Sequence, residues 1–414
     1  MTVNLAPGTA PFVVGGDVQF TIAVDGSYYR CTVDDEVLCQ YFGDTYKSGN
    51  RLAAFERGRD RILAVAAAMI PRYSLRPDYS ISRIIKGGWH LAGDHGDVNP
   101  QQAIKDMATF VEAGITTFDC ADIYTGVEQL IGEFRRTFPT LAPHVQVHTK
   151  FVPDLSDLAS VDARYVENII NRSLERLGQE RLDLVQFHWW DFAVPRYVET
   201  ALELDRLRRA GKIANIAVTN FDTPHLEAIV DAGVPILAHQ LQYSLVDDRP
   251  NIAMVDFCRR HDIRLLCYGT VCGGFMSERW LNKPEPRGSI ANRSLVKYKL
   301  IIEDFGGWDL FQQLLEVLGN IAIKHGADIA SVATRAILDR PMVAAAIVGA
   351  INTRHLQSHE RIGELRLDEE DLASIAAVTD YRRGPREDVY TLERDRTGRH
   401  GQIMKYELNG EREQ

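Results

Sequence analysis

A chain of 414 residues, 45% hydrophobic and 25% charged, has the composition of a globular protein with room for one large and one small domain. Its formal net charge of −10 argues against a general nucleic-acid or anionic-membrane surface. The longest apolar runs, at 62–70 and 343–351, are too short to span a bilayer, and MTVNLAPGTAPF lacks the basic start and apolar core of a signal peptide, so the expected location is cytoplasmic.

The chain opens with VQFTIAVDGSYYRCTV, which predicts two strands around an Asp25-Gly26 hairpin turn. DDEVLCQYFG and LAAFERGRDRILAVAAAMIPR then predict two helices, making residues 1–72 a small α+β domain of ββαα order. Arg57 and Arg61 lie four apart on the second helix, but nearby acids balance them, so they read as a solvated face. Pro71 and Pro77 mark a linker over 73–80.

From residue 81 short β-branched runs alternate with longer helical patterns. Strands are expected at 82–87, 115–120, 145–151, 182–188, 213–219, 236–242, 263–269 and 343–349, with amphipathic stretches between them that commonly end in Gly or in Lys and Arg. Eight such units over 81–380 predict an α/β fold, a closed (β/α)8 TIM barrel. An open doubly wound sheet is the alternative, although no GxGxxG follows the first strand. The segment 273–308 exceeds an ordinary loop and is expected to fold as a lid. The C-terminal tail, 381–414, is polar yet keeps Tyr381, Val389, Tyr390, Ile403, Met404, Tyr406 and Leu408, so it is expected to dock in part on the barrel.

Four polar residues stand where apolar strands stop: Asp119, Tyr124, Lys150 and His188. The C-terminal strand ends of a barrel surround its active site, so these groups are expected to converge there. A phenol beside a lysine, a carboxylate and an imidazole has the parts for giving a proton to a carbonyl oxygen. The six cysteines lack CxxC or zinc-finger spacing and predict neither metal site nor disulfide; Cys120 reads as a packed strand residue.

The segments IIKGGWHLAG, AGITTFDCADIYTGVEQLIGEF, RSLERLGQERLDLVQFHWWD, GKIANIAVTNF and HQLQYSL resemble, in order, motif blocks of the aldo-keto reductase superfamily. The likeness covers the whole predicted barrel. Residues 1–72 lie outside it and faintly resemble a small bacterial domain of unknown function.

The resemblance implies an NAD(P)-dependent oxidoreductase acting on CH–OH groups, reversibly reducing an aldehyde, ketone or sugar carbonyl. Tyr124 would be the general acid, Lys150 would lower its pKa, Asp119 would hold Lys150, and His188 would orient the carbonyl. It also implies cofactor contacts at Gly88, Trp89, Thr219, Asn220, Gln240, Tyr268, Gly269, Thr270, Gly274, Gly349, Ala350, Asn352, Arg354 and His355. Thr219, Asn220 and Gln240 would bind the carboxamide, Tyr268 would stack on the nicotinamide, and Gly269, Gly273 and Gly274 would admit the pyrophosphate. Ile351 stands where the family commonly has a phosphate-facing residue, so NADP is the expected cofactor with NAD the alternative. Trp89, Trp189 and Trp190 are expected to wall a small-molecule carbonyl or alcohol pocket. A second reading, a redox-sensing regulatory subunit with little turnover, gives residues 1–72 a role in partner binding or oligomerisation.

Overall fold

The computed structural model describes residues 4–24, 27–43, 50–69, 72–92, 98–287 and 293–408. At the N-terminus β3 (Asp17–Val24) is the centre of a small antiparallel sheet, paired with β1 (Asn4–Leu5), β2 (Phe12–Val14) and β4 (Ser27–Val33). The expected Asp25-Gly26 turn lies outside the described residues, between the paired Val24 and Ser27. Alternate residues Val18, Phe20 and Ile22 put one face of β3 against Leu38 of α1 (Asp35–Phe42) and against Phe55 and Leu63 of α2 (Arg51–Met69). β1 and β2 escaped the sequence reading because two and three residues are too few to display an alternation.

The stretch expected to be a linker is instead a hairpin, β5 (Arg72–Arg76) and β6 (Tyr79–Ser82), with Pro77 in its turn. Proline suits the first corner of a tight turn as well as it suits a linker, and the residues themselves do not separate the two. Leu75 and Ile81 of this hairpin are buried in one cluster with Ile85, Leu184, Ala217, Ala238, Leu266, Ala344 and Ala345, which are inward-facing strand residues. The hairpin therefore stops the N-terminal mouth of the barrel, and Tyr79 hydroxyl meets His148 Nε2 at 3.1 Å inside it.

The barrel is closed by β7 (Ile84–Gly87), β8 (Thr117–Asp119), β9 (Gln146–Phe151), β10 (Leu182–Phe187), β11 (Ile213–Thr219), β12 (Ile236–Gln242), β13 (Arg264–Tyr268) and β14 (Val343–Gly349), all parallel, with β14 pairing back onto β7. All eight predicted strands are present. Side chains alternate along them: in β10, Leu184 and Gln186 point into the barrel while Val185 and Phe187 join the core shared with the outer helices. Those helices are α3 (Pro100–Glu112), α4 (Val127–Thr137), α5 (Ala163–Leu177), α6 (Tyr197–Arg209), α7 (Thr223–Asp231), α8 (Met254–Arg260), α9 (Arg293–Phe305), α10 (Trp308–His325), α11 (Ile329–Leu338), α12 (Leu356–Glu364) and α13 (Glu369–Thr379). Their starts are written in the sequence, as where Asp162 accepts from Tyr165 N and Gly178 ends α5 with φ 62°.

The tail returns across the C-terminal face of the barrel. Val389 and Tyr390 are buried ahead of the short α14 (Thr391–Arg394), and Leu408 N donates to Asp154 at 2.8 Å.

Helices α4 and α5 touch where a Cβ on Gly132 would stand 2.1 Å from the Arg176 carbonyl oxygen. Backbone cannot yield as a side chain does, so Gly132→Ala must push the helices apart. A loss of about 1–3 kcal/mol in urea denaturation is expected, and an unchanged midpoint would contradict this packing.

Candidate active site

Register decides which side chains meet. Asp119 ends β8 opposite His148, and Lys150 lies opposite Gln186 on the neighbouring strand, so the inward-facing groups stack in layers towards the C-terminal mouth. Lys150 Nζ donates to Asp119 Oδ2 at 2.7 Å and to Cys120 O at 2.8 Å, with both charged side chains only 5% exposed. The other carboxylate oxygen accepts from Gln186 Nε2 at 2.8 Å and Gln240 Nε2 at 2.6 Å. Lys150 Nζ also sits 4.8 Å from the centre of the Tyr124 ring.

Burial pushes the Tyr124 phenol up to about 12, and the positive charge of Lys150 pulls against it without prevailing. Lys150 lowers the pKa as expected, and burial outweighs it. Desolvation penalises the phenolate, and the lysine charge is already shared with Asp119, whose own charge opposes ionisation. Tyr124 is thus neutral around pH 7.

His188 follows β10 directly. Its Nδ1 lies 3.0 Å from the Thr219 carbonyl, which can only accept, so Nδ1 carries the proton. Burial holds the pKa down to about 3, keeping the ring neutral. Nε2 then faces the site as a lone-pair acceptor, buried and without a partner among the described residues.

Trp89 packs edge-on to Tyr124 with ring centres 5.1 Å apart, and Trp190 packs edge-on to His188 at 4.3 Å. Trp189 does not join them. Its ring is buried against Phe187, and its indole N–H donates to Asp191 O and Val194 O, both at 3.0 Å, so it fixes the loop after β10. Adjacent residues leaving a strand point to opposite sides, and only one of the pair can face the mouth.

Thr219, Asn220, Gln240 and Tyr268 gather at the ends of β11, β12 and β13. Thr219 Oγ1 is 3.5 Å from Gln240 Oε1, and Tyr268 hydroxyl donates to Asn220 Oδ1 at 2.8 Å. Asn220 holds a left-handed φ of 61°, a conformation asparagine tolerates better than most residues. These amide and hydroxyl groups offer the donors and acceptors that a carboxamide requires, so the set fits a nicotinamide.

Gly269, Gly273 and Gly274 all have positive φ, but Tyr298 crowds the first two, standing 2.6 and 2.7 Å from a Cβ built on them. Those two glycines make room for α9; Gly274 is the open one. A Cβ on Gly88 would meet Asp119 O at 2.6 Å, so the start of the Trp89 turn lies hard against β8. Thr270 is buried, with its hydroxyl 3.1 Å from that of Thr334.

After β14, Gly349 packs beneath the His90 ring and Ala350 is buried, while Ile351 is 41% exposed. Asn352 spends its side chain accepting from Arg354 N, and Arg354 and His355 are exposed. In the expected lid, Trp280, Trp308, Phe275 and Phe311 form an aromatic cluster; residues 288–292 lie outside the described set.

Sequence reasoning missed Gln186, Lys297 and the tail residues Glu393 and Arg394, and took Tyr390 only as a docking anchor. Gln186 carried a signal, being two positions before His188 and so on the same strand face. Glu393 and Arg394 carried none, since the contacts that place them span well over a hundred positions, as from Arg249 to Glu393.

The model for the aldo/keto reductase family matches residues 83–380. The chain belongs to the aldo/keto reductase family. Residues 15–82 match a family of proteins of unknown function, DUF1488. Among relatives of this reductase barrel, flagellar radial spoke protein 5 of Chlamydomonas reinhardtii is 30% identical over 300 residues, covering 58% of this chain and 56% of that protein. Aldo-keto reductase YhdN of Bacillus subtilis (strain 168) is 26% identical over 308 residues, covering 72% and 89%. The structure of glycerol dehydrogenase AKR11B4 from Gluconobacter oxydans superposes with a TM-score of 0.65 at 20% identity, over 76% of this chain and 97% of that one, a likeness of fold. NAD(P)H-dependent carbonyl reduction is the general chemistry of this family.

His148, His188 and His239 lie inside the reductase barrel, with pKa values held down to about 4, about 3 and about 3 by burial. Between those values and the ordinary histidine pKa of about 6.5 the unfolded chain takes up protons that the folded chain refuses. Stability is therefore full above pH 6.5 and falls as pH drops below it, by up to about 1.4 kcal/mol per pH unit for each histidine. Urea midpoints at pH 7, 6 and 5 check this, and flat midpoints would refute it.

Proposed function

We propose that this chain reversibly reduces an aldehyde, ketone or sugar carbonyl, with a nicotinamide cofactor supplying or receiving the hydride. The observation that carries the reading is the buried cluster of neutral Tyr124, cationic Lys150 and Asp119 beside a histidine with an unpartnered Nε2. Tyr124 gives its proton to the carbonyl oxygen as that oxygen gains charge. Lys150, held by Asp119, stabilises the phenolate left behind.

The protonation pattern of His188 changes the role expected for it. A neutral imidazole that donates through Nδ1 to Thr219 cannot also donate to a ketone through Nε2. It can accept from a hydroxyl, so His188 orients the alcohol form of the substrate. Trp89 and Trp190 wall the pocket on either side of the reacting oxygen.

NADP is the proposed cofactor. Thr219, Asn220 and Gln240 would hold its carboxamide and Tyr268 its ring, with Gly274 open on the following loop. At the adenosine end Ile351 offers nothing to a 2′-phosphate, and the exposed Arg354 is the neighbouring cation that can. Arg354→Ala should then raise KM for NADPH by about tenfold and leave that for NADH nearly unchanged. An equal effect on both would assign Arg354 to the general surface.

The decisive experiment follows oxidation of NADPH and of NADH by the purified protein over a panel of aldehydes, ketones and sugars. Tyr124→Phe should abolish turnover by about a thousandfold or more while cofactor binding, titrated by fluorescence, stays within about twofold. Full activity in that variant would remove Tyr124 as the acid. Tight cofactor binding with no turnover on any carbonyl would favour a redox-sensing subunit.

A further inference from the structure

The tail crosses the mouth of the barrel beyond residue 380, where the family match ends. Asp388 Oδ2 accepts from Thr223 N at 2.8 Å, the first backbone amide of α7, next to the Asn220 turn. Tyr390 takes a left-handed φ of 61° and sets its buried ring perpendicular to that of His188, with centres 5.7 Å apart. Glu393, 1% exposed, accepts from Arg249 Nη1 at 2.9 Å and Nη2 at 3.0 Å, with Lys297 Nζ at 3.6 Å. That same Lys297 ammonium lies over the rings of Tyr268 and Tyr390, at 5.2 and 5.5 Å. Arg394 donates to the carbonyls of Asn220 and Trp189, both at 2.8 Å.

These contacts include groups proposed for catalysis and cofactor binding. Tyr390 stands on His188 and Arg394 holds the carbonyl of Asn220, while Lys297 of α9, which faces Glu393, covers Tyr268. We propose that residues 388–394 form a latch that, closed as here, seats Tyr390 on His188 and shuts the catalytic pocket, and that opens when Glu393 leaves Arg249 and Lys297. The proposal rests on the reading of His188 and Tyr124 as the reacting site.

Two features lower the cost of moving this segment, against the loss of the carboxylate that faces Lys297. Arg249 keeps Asp247 whether or not the latch is closed, through Nε at 2.9 Å and Nη2 at 2.8 Å. Glu393 gains water as it leaves, so opening exchanges one solvation for another. Tyr390 also relaxes from a left-handed conformation that disfavours a bulky residue. Closure is therefore set by a few charged hydrogen bonds on a strained turn, which is a balance that single substitutions can tip.

The test reads access to His188 without requiring turnover. Full-length protein is treated with diethyl pyrocarbonate, which modifies neutral imidazoles, and each histidine peptide is quantified by mass spectrometry over time. Glu393→Gln keeps the size of the side chain and removes its charge. Carbethoxylation of His188 is expected to accelerate by about tenfold or more, the loss of a charge-assisted buried hydrogen bond, while His148 and His239 inside the barrel stay unmodified. An unchanged or slower rate at His188 overturns the latch. If His148 and His239 also react, the variant has opened the barrel, and Arg394→Lys, which loses the fork on Asn220 and Trp189, is read by the same criterion with the same two outcomes. Parallel turnover assays separate this from the function itself. Faster His188 labelling with no turnover in any protein keeps the latch and removes the reductase, and turnover with unchanged labelling does the reverse.

Discussion

Everything at the mouth of this barrel hangs on one buried ion pair, Lys150 with Asp119. Neither charge has access to bulk water, so each must be satisfied by protein. Asp119 takes Lys150 on one oxygen and two glutamine amides on the other, and Lys150 adds the Cys120 carbonyl. These partners come from β8, β9, β10 and β12, so satisfying one carboxylate ties together four strand ends. Breaking such a pair from one side typically costs about 3–5 kcal/mol, which gives the site a rigidity that loops alone would not have.

In the proposed reaction that rigidity has a chemical use. A phenol with its pKa pushed up to about 12 is a firm proton reservoir, and the adjacent ammonium stabilises the anion only once the proton has gone. His188, neutral and pinned by Thr219, cannot compete with Tyr124 as a donor. The two groups are thus separated into donor and acceptor by burial and by one backbone carbonyl.

The same low-dielectric mouth explains why the tail can act on it. Glu393 is drawn to Arg249 and Lys297 because a carboxylate among buried cations is far better placed there than a neutral side chain would be. The tail thereby brings an aromatic ring onto the imidazole from outside the portion of the chain that matches the family.

The sequence alone determined the barrel and the four polar residues at its mouth. Eight β-branched runs between amphipathic stretches leave few alternatives to a closed parallel sheet, and polar residues ending apolar strands must face the one wet end. Asp119, Tyr124, Lys150 and His188 were legible for that reason, since period and position are local properties. What only the tertiary structure decided were matters of environment and of distance along the chain. The tautomer of His188 depends on a carbonyl from the next strand, and the raised pKa of Tyr124 depends on how deeply its neighbours bury it. Whether Trp189 or Trp190 faces the pocket turned on the exit angle of one loop, and the hairpin at 72–82 on whether Leu75 and Ile81 find an alanine-lined floor to fill. The contact of Glu393 with Arg249 spans more than a hundred residues, and no local pattern encodes it. Burial and long-range pairing exist only once the chain has closed, so no reading of neighbours in sequence could have supplied them.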